Sequence, residues 1–363
     1  MTNVMTSTPA SDGFYMPAEF APHRGSWMLW PERGDTWRNG GTPAQQAFVA
    51  VATAIASSEP VTVGVSSHQF VNARNQLPWQ VRVVEMSHND AWMRDTGPSC
   101  VTNQQGEVRG VDWQFNAWGG LQSGLYFPWD QDDLVARKVL EIEGLDRYRA
   151  PFILEGGAIH VDGQGTAMVT EECLLNPNRN PDMDIGQIEL MLAEYLGVST
   201  IIWLGEGVYQ DETDGHIDNL CCFIKPGEVA LTWTDNKRDP QYKRSQNALR
   251  RLQHARDARN RKLKVHLLPQ PGPLRMTEVE AAGLERSESA KPRQAGERLA
   301  ASYVNFYIGN SVVVAPLLDQ KYDKAVIAKL KKLFPKRKVV GVPAREIILG
   351  GGGIHCVTQQ IPH

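Results

Sequence analysis

One order of predicted elements recurs about five times along the chain: an amphipathic helix, a short apolar strand and a hairpin. The helices begin near residues 44, 132, 185, 241 and 323, so the spacing is uneven and the repeat is architectural rather than a tight sequence array. Five such units in one chain predict an α/β fold that closes into a ring. Polar residues at the strand ends would then converge on a central site.

The elements themselves are predicted from hydrophobic periodicity and capping signals. Thr42-Pro43-Ala44-Gln45 offers a cap with Pro at the first helical position, and Asp184 is predicted to cap the third helix. The helices are predicted from Thr42 through Ile55, Asp132 to Glu143, Asp184 to Leu196, Gln241 to Arg259 and Asp323 to Phe334. The strands that follow are Val61 to Val65, Tyr148 to Leu154, Thr200 to Leu204, Leu263 to Leu268 and Lys338 to Val342. Hairpins are predicted within Val101 to Trp113, His160 to Thr170, Phe223 to Trp233 and Tyr303 to Pro316.

A single domain over residues 1–363 is predicted, although the length of 363 residues would also allow two domains. No linker-like segment separates one part of the chain from another. The segment Pro271 to Gly296 is rich in Glu, Arg, Ala, Ser and Pro. It is predicted to be a surface loop or lid.

Composition and charge exclude several classes of protein. The chain is 42% hydrophobic and 22% charged, which is typical of a globular protein, and its net charge of −3 does not suggest a nucleic-acid partner. No run of about 18 apolar residues predicts a membrane span, and residues 1–13 lack the apolar core of a signal peptide. Five cysteines, scattered apart from Cys221-Cys222, do not form a disulfide framework. A reducing cytoplasm is therefore the expected location.

The strongest chemical feature is the run from Gly350 to Gly353, followed by Ile354, His355 and Cys356. Four glycines allow the backbone to turn sharply and to approach another group closely. A thiol just past such a turn is a candidate nucleophile, provided that its pKa is lowered or a cation lies beside it. The alternative is that Cys356 is a small buried hydrophobic residue.

A second feature is the acidic segment from Asp211 to Asp218. If Gly215 to Leu220 is a strand, His216 and Asp218 lie on the same face, so that the carboxylate could orient the imidazole or bind a cation. Two alternatives remain open, an acidic surface loop and a zinc site of the His-x-Asp type. No CxxC or HExxH motif supports the metal site.

Two further segments place carboxylates next to glycine turns. In Asn89 to Pro98, Asp90 and Asp95 would lie on opposite faces of a strand, so at most one would point inward. The alternative is an Arg–carboxylate pair that fixes a loop. In Leu154 to Gly157, Glu155 stands at a strand end before a Gly turn, which by itself is a weak signal.

One thiol, one imidazole and several carboxylates together suit a planar cation with an electrophilic carbon. A guanidinium fits this description, because carboxylates can bind its N–H groups in pairs and a thiolate can attack its central carbon. The chain has no Gly-rich phosphate loop with a Lys and no Gly-x-Gly-x-x-Gly fingerprint, so a nucleotide cofactor is not favoured.

The residues that carry this chemistry resemble the agmatine deiminases of the guanidino-group-modifying superfamily, and the resemblance extends over almost the entire chain. Phe115-Asn116-Ala117-Trp118-Gly119-Gly120 and Phe127-Pro128-Trp129-Asp130 are typical of agmatine deiminases rather than of the wider superfamily. The other matching segments are 16–20, 30–33, 89–98, 154–157, 213–218 and the Gly-rich run through Gln360.

The resemblance implies a five-bladed α/β propeller with pseudo-five-fold symmetry and a central active site. It also implies hydrolysis of agmatine to N-carbamoylputrescine and ammonia, without a metal or organic cofactor. By the same resemblance, Cys356 is the nucleophile, His216 the acid/base with Glu155 beside it, and Asp95 and Asp218 hold the guanidinium. The family usually has Asn two residues before the His-Cys pair, where this chain has Gly353. Any side-chain contact from that position is therefore in doubt, but the backbone turn is not.

The expected partner is a small cationic guanidine, and a homo-oligomer is left open. Because agmatine ends in an ammonium, an acid suits its tail, and Glu212 with the Trp92 and Trp118 rings are the candidates. The alternatives are an arginine or peptidyl-arginine deiminase, an amidinotransferase, a zinc hydrolase, or a non-catalytic binding module in which Cys356 is structural.

Overall fold

The computed structural model describes residues 2–363; Met1, the first residue of the predicted domain, lies outside them. The strands are β1 Val4–Met5, β2 His23–Leu29, β3 Val61–Val65, β4 Arg82–Glu85, β5 Ser99–Thr102, β6 Val108–Gln114, β7 Arg147–Ile153, β8 His160–Val161, β9 Thr166–Thr170, β10 Thr200–Leu204, β11 Cys221–Lys225, β12 Glu228–Trp233, β13 Lys264–Pro269, β14 Tyr307–Ile308, β15 Val312–Leu317, β16 Lys338–Pro343 and β17 Gln359–Pro362. The α-helices are α1 Thr42–Ala56, α2 Phe70–Gln76, α3 Met93–Thr96, α4 Gly120–Ser123, α5 Val135–Glu143, α6 Glu171–Leu174, α7 Ile185–Leu196, α8 Ile217–Leu220, α9 Gln241–His254, α10 Glu278–Ala282, α11 Gln320–Leu333 and α12 Arg345–Leu349. Short 3₁₀ turns cover Asn39–Gly41, Ser67–Gln69, Gly156–Ala158 and His355–Val357.

These elements form a mixed α/β fold, and the strands of the described chain make five sheets. Each sheet contains an antiparallel pair and one strand that returns parallel to it after a helix. The pairs are β5–β6, β8–β9, β11–β12, β14–β15 and β17–β2, and the returning strands are β7, β10, β13, β16 and β3. The repeated order of helix, strand and hairpin is therefore confirmed.

One of the five sheets joins the two ends of the chain. Strand β17 pairs antiparallel with β2, with Gln359 opposite Trp27, and β2 continues into a parallel pair with β3. Ile361 of β17 and Trp27 of β2 are both buried. The unit that contains Cys356 is thus completed by strands from opposite ends of the sequence.

The predicted helix signals are confirmed in part, but the predicted cap at Thr42 is wrong, because Gly41 is the N-cap of α1 and no side chain makes a capping hydrogen bond there. Helix α1 has Pro43 in its first turn and buries the predicted apolar face, and Asp184 forms a capping box with Gln187 at the start of α7. Helix α5 begins at Val135, three residues later than predicted. The carboxylate of Asp132 instead accepts hydrogen bonds from the backbone N–H of Asn89, 2.7 Å away, and from the Tyr126 hydroxyl.

Two segments that were predicted as strands are single helical turns. Residues 93–96 form α3 and residues 217–220 form α8, so the expected alternation of side chains across a strand is wrong for Asp90 and Asp95 and for His216 and Asp218. Each turn stands immediately before the first strand of a hairpin. In a helical turn, side chains three or four residues apart share a face, so the two-residue alternation of a strand does not apply to these segments.

The segment from Pro271 to Gly296 is only partly irregular. It contains the short helix α10, whose Glu280 forms an ion pair with Arg345, the two groups being 2.6 Å apart. The backbone N–H of Lys291 donates to the carbonyl of Leu125, and that of Glu285 donates to the carbonyl of Gly34. The segment therefore lies across several separate parts of the chain, as a covering loop would.

No helix within residues 2–363 is both long enough and apolar enough to cross a membrane.

The closing pair of strands gives a test of the fold. Ile361→Ala should lower the free energy of unfolding by about 2–4 kcal/mol, because it removes a buried side chain from β17 and leaves a cavity against β2. Urea unfolding followed by circular dichroism measures the change. Val4→Ala, at a side chain that is 56% exposed, is the control and should cost less than about 0.5 kcal/mol. Equal effects of the two substitutions would contradict a buried closing strand.

Candidate active site

Four short turns, each preceding the first strand of a hairpin, carry the predicted catalytic residues. Asp95 lies in α3, Glu155 precedes the turn Gly156–Ala158, Asp218 lies in α8 with His216 immediately before that helix, and Cys356 lies in the turn His355–Val357. All five side chains are buried.

Gly157 stands where three of these side chains meet. A Cβ atom at this position would lie 2.5 Å from His216 Nδ1, 2.8 Å from Asp95 Oδ1 and 3.1 Å from Asp218 Oδ2. Only glycine leaves room for them, which explains the second glycine of the Leu154 to Gly157 motif. The structure thus brings together carboxylates that are more than 100 residues apart in sequence.

Cys356 lies against a carboxylate and an amide. Its Sγ is 3.4 Å from Asp218 Oδ2, to which the thiol donates, and it accepts a hydrogen bond of 3.2 Å from Asn305 Nδ2. Burial and the charges of Asp218 and Asp95 raise the pKa of the Cys356 thiol well above its usual range. Without a bound cation, the thiol is therefore protonated.

Asp218 is held in place by His355, which binds the same carboxylate oxygen that accepts from Cys356. The ring of His355 bridges two carboxylates, with Nδ1 at 2.8 Å from Asp218 Oδ2 and Nε2 at 2.7 Å from Glu19 Oε2. Burial and Arg94 oppose a charge on this ring, but Glu19 and Asp218 outweigh them and raise the pKa of His355. Burial would raise the pKa of Asp218, but the contact with His355 keeps it below its usual range. Asp218 is therefore ionised, and its Oδ1 has no hydrogen-bond partner.

His216 lies between two carboxylates. Its Nδ1 is 3.8 Å from Asp95 Oδ2 and its Nε2 is 3.6 Å from Glu155 Oε2. Burial disfavours the imidazolium, but Asp95, Cys173 and Glu155 outweigh it and raise the pKa of His216 well above its usual range. Nε2 makes no hydrogen bond, so a protonated His216 has a donor available for a ligand.

Glu155 is fixed by Arg179, a residue that the sequence analysis missed. Arg179 Nε donates to Glu155 Oε1 over 2.7 Å, and the guanidinium also binds Asp214 and the carbonyl of Trp118. Burial would raise the pKa of Glu155, but Arg179 and His216 lower it to about 2. The other oxygen of Glu155, Oε2, has no partner and faces His216.

Asp95 is oriented by two N–H donors. The backbone N–H of Gly157 donates to Oδ1 over 2.8 Å and the indole N–H of Trp118 donates to Oδ2 over 3.0 Å. Burial raises the pKa of Asp95 to about 6; Asp218 and Glu155 add to this effect, while His216 opposes it. Asp95 is therefore the carboxylate of this site whose charge changes nearest to neutral pH.

Trp92 and Trp118 form adjoining aromatic walls. Their ring centroids are 6.3 Å apart and nearly perpendicular. Trp92 is anchored by its indole N–H, which donates to Asp90 Oδ2, and the indole of Trp37 donates to the other oxygen of Asp90. Asp90 therefore positions tryptophans, whereas Asp95 faces His216.

The four consecutive glycines make room for four different side chains. A Cβ atom on successive residues of Gly350–Gly353 would meet Trp37 at 2.3 Å, Glu212 at 2.5 Å, Trp92 at 2.5 Å and Asn305 at 2.2 Å. The predicted close approach of the backbone is thus required along the whole run. It places the aromatic wall and Glu212 next to the turn that carries Cys356.

Glu212 is close to this turn but is not a free carboxylate. Its Oε2 forms an ion pair with Arg293, which comes from the segment 271–296 and also donates to the carbonyl of Leu349. Both residues line a cavity of about 240 Å³ together with Gly351 and Arg298. This cavity is adjacent to the Gly-rich run, and Arg293 lies on its wall.

Two groups of side chains have ligand atoms close enough together to hold a metal ion: Glu19, His160 and His355, and Glu155, Cys173 and His216. The first group lies beside Arg94, whose guanidinium is 3.7 Å from Glu19. In the second, Arg179 already occupies one oxygen of Glu155. Asp218 belongs to neither group, so the His-x-Asp zinc site is not formed among the described residues.

The residues that sequence reasoning missed all form hydrogen bonds with the predicted site residues. Arg179 holds Glu155, His355 holds Asp218, and Asn305 contacts Cys356. The only signals for them were indirect: Arg179 lies in an Asn- and Pro-rich turn, and His355 is adjacent to the thiol. Asn305 lies in a segment predicted only as a hairpin.

Comparison with known proteins identifies the family. The model of the Porphyromonas-type peptidyl-arginine deiminase family matches residues 15–362. A protein named agmatine deiminase from Ectopseudomonas mendocina is 58% identical over 99% of this chain and 98% of its own length.

Solved structures agree with this result. The agmatine deiminase of Enterococcus faecalis superposes with a TM-score of 0.97 at 49% identity, covering 100% of this chain and 99% of its own. A Cys-to-Ser variant of the C. jejuni agmatine deiminase, with substrate bound, superposes with a TM-score of 0.82 at 26% identity, covering 96% of each chain. The chain therefore belongs to the Porphyromonas-type peptidyl-arginine deiminase family and groups with the agmatine deiminases in it.

Proposed function

We propose that the protein hydrolyses agmatine to N-carbamoylputrescine and ammonia. The observation that carries this proposal is a buried thiol among the carboxylates of Asp95, Glu155 and Asp218, with His216 between two of them. Such a set suits a small planar cation. The relatives named agmatine deiminase, which are 58% identical over nearly the whole chain, support the choice of substrate.

We also propose that the five sheets are blades around a central axis and that residues 1–363 form a single domain. The four turns that carry catalytic residues all precede the first strand of a hairpin, which supports a site at the axis. The segment 271–296 acts as a lid, since it packs against residues from distant parts of the chain. The five cysteines are free thiols, as expected for a reducing cytoplasm.

Asp95 and Asp218 hold the guanidinium. The unpartnered Oδ1 of Asp218 is free to accept an N–H, and Asp95 is already oriented by Gly157 and Trp118. Paired charge-assisted hydrogen bonds then fix the plane of the guanidinium next to Cys356. The negative charges of Asp95 and Asp218 keep the substrate protonated and cationic, so that its central carbon remains electrophilic.

The substrate itself activates the thiol. Burial and the charges of two carboxylates raise the pKa of Cys356, so a guanidinium that neutralises the carboxylates removes their share of this effect and favours the thiolate. The proton passes to a neighbouring carboxylate, and Asp218 already accepts the thiol hydrogen bond. The nucleophile thus forms only when its target is present.

Two half-reactions follow. The thiolate attacks the central carbon to give a tetrahedral adduct, and protonated His216 gives its proton to the leaving nitrogen, so that ammonia departs and a thiouronium remains. Neutral His216 then takes a proton from water, whose oxygen attacks the same carbon. Collapse breaks the C–S bond and releases N-carbamoylputrescine, while the hydroxyl proton of the adduct passes to the departing sulfur and the proton held by the carboxylate passes to solvent, so that the resting thiol is restored. Glu155, held by Arg179, stabilises the charged form of His216 in both steps.

The tail of agmatine lies between the tryptophan faces and ends near Glu212. Trp92 and Trp118 would cover the methylene chain. Oε2 of Glu212 already pairs with Arg293, so the ammonium either binds its other oxygen or displaces Arg293.

Replacing the nucleophile tests the covalent mechanism. Cys356→Ser should lower kcat by at least about 10³-fold, because a hydroxyl without a dedicated base is a poor nucleophile. Ammonia release from agmatine is the measurement. Cys100→Ala, at another buried thiol, in β5, is the matched control and should keep most of the activity. Substantial turnover by Cys356→Ser would rule out covalent catalysis by this residue.

The pKa of Asp95 sets an acid limit on activity. Because this pKa is raised to about 6, the carboxyl becomes neutral below that pH and no longer holds a guanidinium, so kcat/KM for agmatine should fall. The fall in kcat should come at a lower pH, because bound substrate favours the ionised carboxyl. Initial rates between about pH 4.5 and about pH 8 give both profiles. A kcat/KM that stays constant down to about pH 5 would contradict this assignment.

Selectivity for agmatine over arginine tests the role of Glu212. Glu212→Gln should lower kcat/KM for agmatine about tenfold, because the charge that attracts an ammonium is lost. It should also reduce the ratio of kcat/KM for agmatine to kcat/KM for arginine, because the same charge no longer repels a carboxylate. Glu206→Gln, at an exposed carboxylate, is the control. An unchanged ratio in Glu212→Gln would exclude Glu212 from the tail site, and equal wild-type rates on both substrates would exclude agmatine as the preferred one.

A further inference from the structure

Asn305 occupies, in the fifth unit, the place that catalytic residues occupy in the other four. Asp95, Glu155, Asp218 and Cys356 each stand three to five residues before the first strand of their antiparallel pairs, β5, β8, β11 and β17. Asn305 stands two residues before β14, in the fifth hairpin. The repeat therefore directs a side chain from every unit toward the same site.

The side chain of Asn305 is almost fully buried and uses its polar atoms around Cys356. Nδ2 donates to Cys356 Sγ over 3.2 Å and to Asn219 Oδ1 over 3.0 Å, while Oδ1 accepts the backbone N–H of His355 over 2.8 Å. Only 1% of the residue is exposed. These contacts fix the orientation of the amide, with N–H rather than oxygen toward the sulfur.

Gly353 is what allows Asn305 to reach the thiol. A Cβ atom at position 353 would lie 2.2 Å from Asn305 Oδ1 and 2.7 Å from its Cγ. No larger residue fits there without moving the amide. This chain has Gly at position 353, where Asn is expected, and the amide of Asn305 occupies the space that a larger residue at position 353 would need.

We propose that Asn305 is a further catalytic residue, whose side-chain N–H stabilises the Cys356 thiolate, and that Gly353 provides the space for this contact. The proposal rests on the proposed role of Cys356 as the nucleophile. Besides the backbone of Gly353, the other groups that act on the sulfur are carboxylates, Asp218 at 3.4 Å and the charge of Asp95. A neutral donor on the opposite side stabilises the anion without competing with a cationic substrate for those carboxylates.

Thiol reactivity tests the proposal without any assumption about the substrate. Iodoacetamide alkylates a thiolate, forming a C–S bond and releasing iodide, and mass spectrometry of the peptide that contains Cys356 gives the rate. At a fixed pH between about 8 and about 9, Asn305→Asp should slow alkylation of Cys356 about tenfold or more, because an isosteric carboxylate replaces the donor with an acceptor and adds a negative charge beside the sulfur. Asn310→Asp makes the same change in the same hairpin, where the side chain binds only the backbone of His23, and should leave the rate unchanged.

The coupling to Gly353 provides a second, independent measurement. Gly353→Ala should slow alkylation by displacing the amide, and the double variant Asn305→Ala/Gly353→Ala should be no slower than Asn305→Ala alone. Circular dichroism and melting temperature identify folded variants. Alkylation at the wild-type rate in folded Asn305→Asp, or additive losses in the double variant, would overturn the proposal. If the unsubstituted protein does not turn over agmatine, but Cys356 is alkylated faster in it than in Asn305→Asp, the proposed substrate is wrong and the role of Asn305 stands.

Discussion

The structure depends on keeping several negative charges close together next to a buried thiol. Like charges that lie close together repel strongly where water is excluded, so each carboxylate must be held by a neighbouring donor of opposite charge. Arg179 does this for Glu155, and His355 does it for Asp218. Arg94 binds the residues that surround His355. It pairs with Glu19 and donates to the carbonyl of His355 and to the side chains of Gln359 and Gln360. One oxygen of Glu155 and one of Asp218 are buried without a hydrogen-bond partner and can accept from a cationic ligand.

This arrangement explains why the fold repeats one simple unit. A single strand or helix could not present carboxylates, an imidazole, an amide and a thiol to one point. Five short turns, each placed before the first strand of a hairpin, can do so with one or two side chains apiece. The residues of the site therefore have little local sequence context in common, although their positions within the units are equivalent.

Much of the fold and the core of the site could be predicted because the signals were local. Helical periodicity, the cap at Asp184 and the Gly-rich run before Cys356 each depend on neighbouring residues. The single turns at 93–96 and 217–220 were wrongly predicted as strands, because four residues carry no periodicity that separates the two. The partners of the site residues could not be predicted at all: Arg179 and Asn305 are recognisable only once distant units lie together. Likewise, nothing in the sequence indicates that Glu212 is paired with Arg293.

The pairing of β17 with β2 also has a consequence for biosynthesis. Strand β2 is made early, but its partner lies more than 300 residues further along the chain, so the pair forms only after the four other units have been synthesised. Contacts of such long sequence separation are slow to form, because loop closure must precede any gain from pairing. Cys356 is also the last residue of the site to emerge from the ribosome. A nascent or partly folded chain consequently contains carboxylates and an imidazole but no assembled nucleophile, and catalytic competence coincides with completion of the fold.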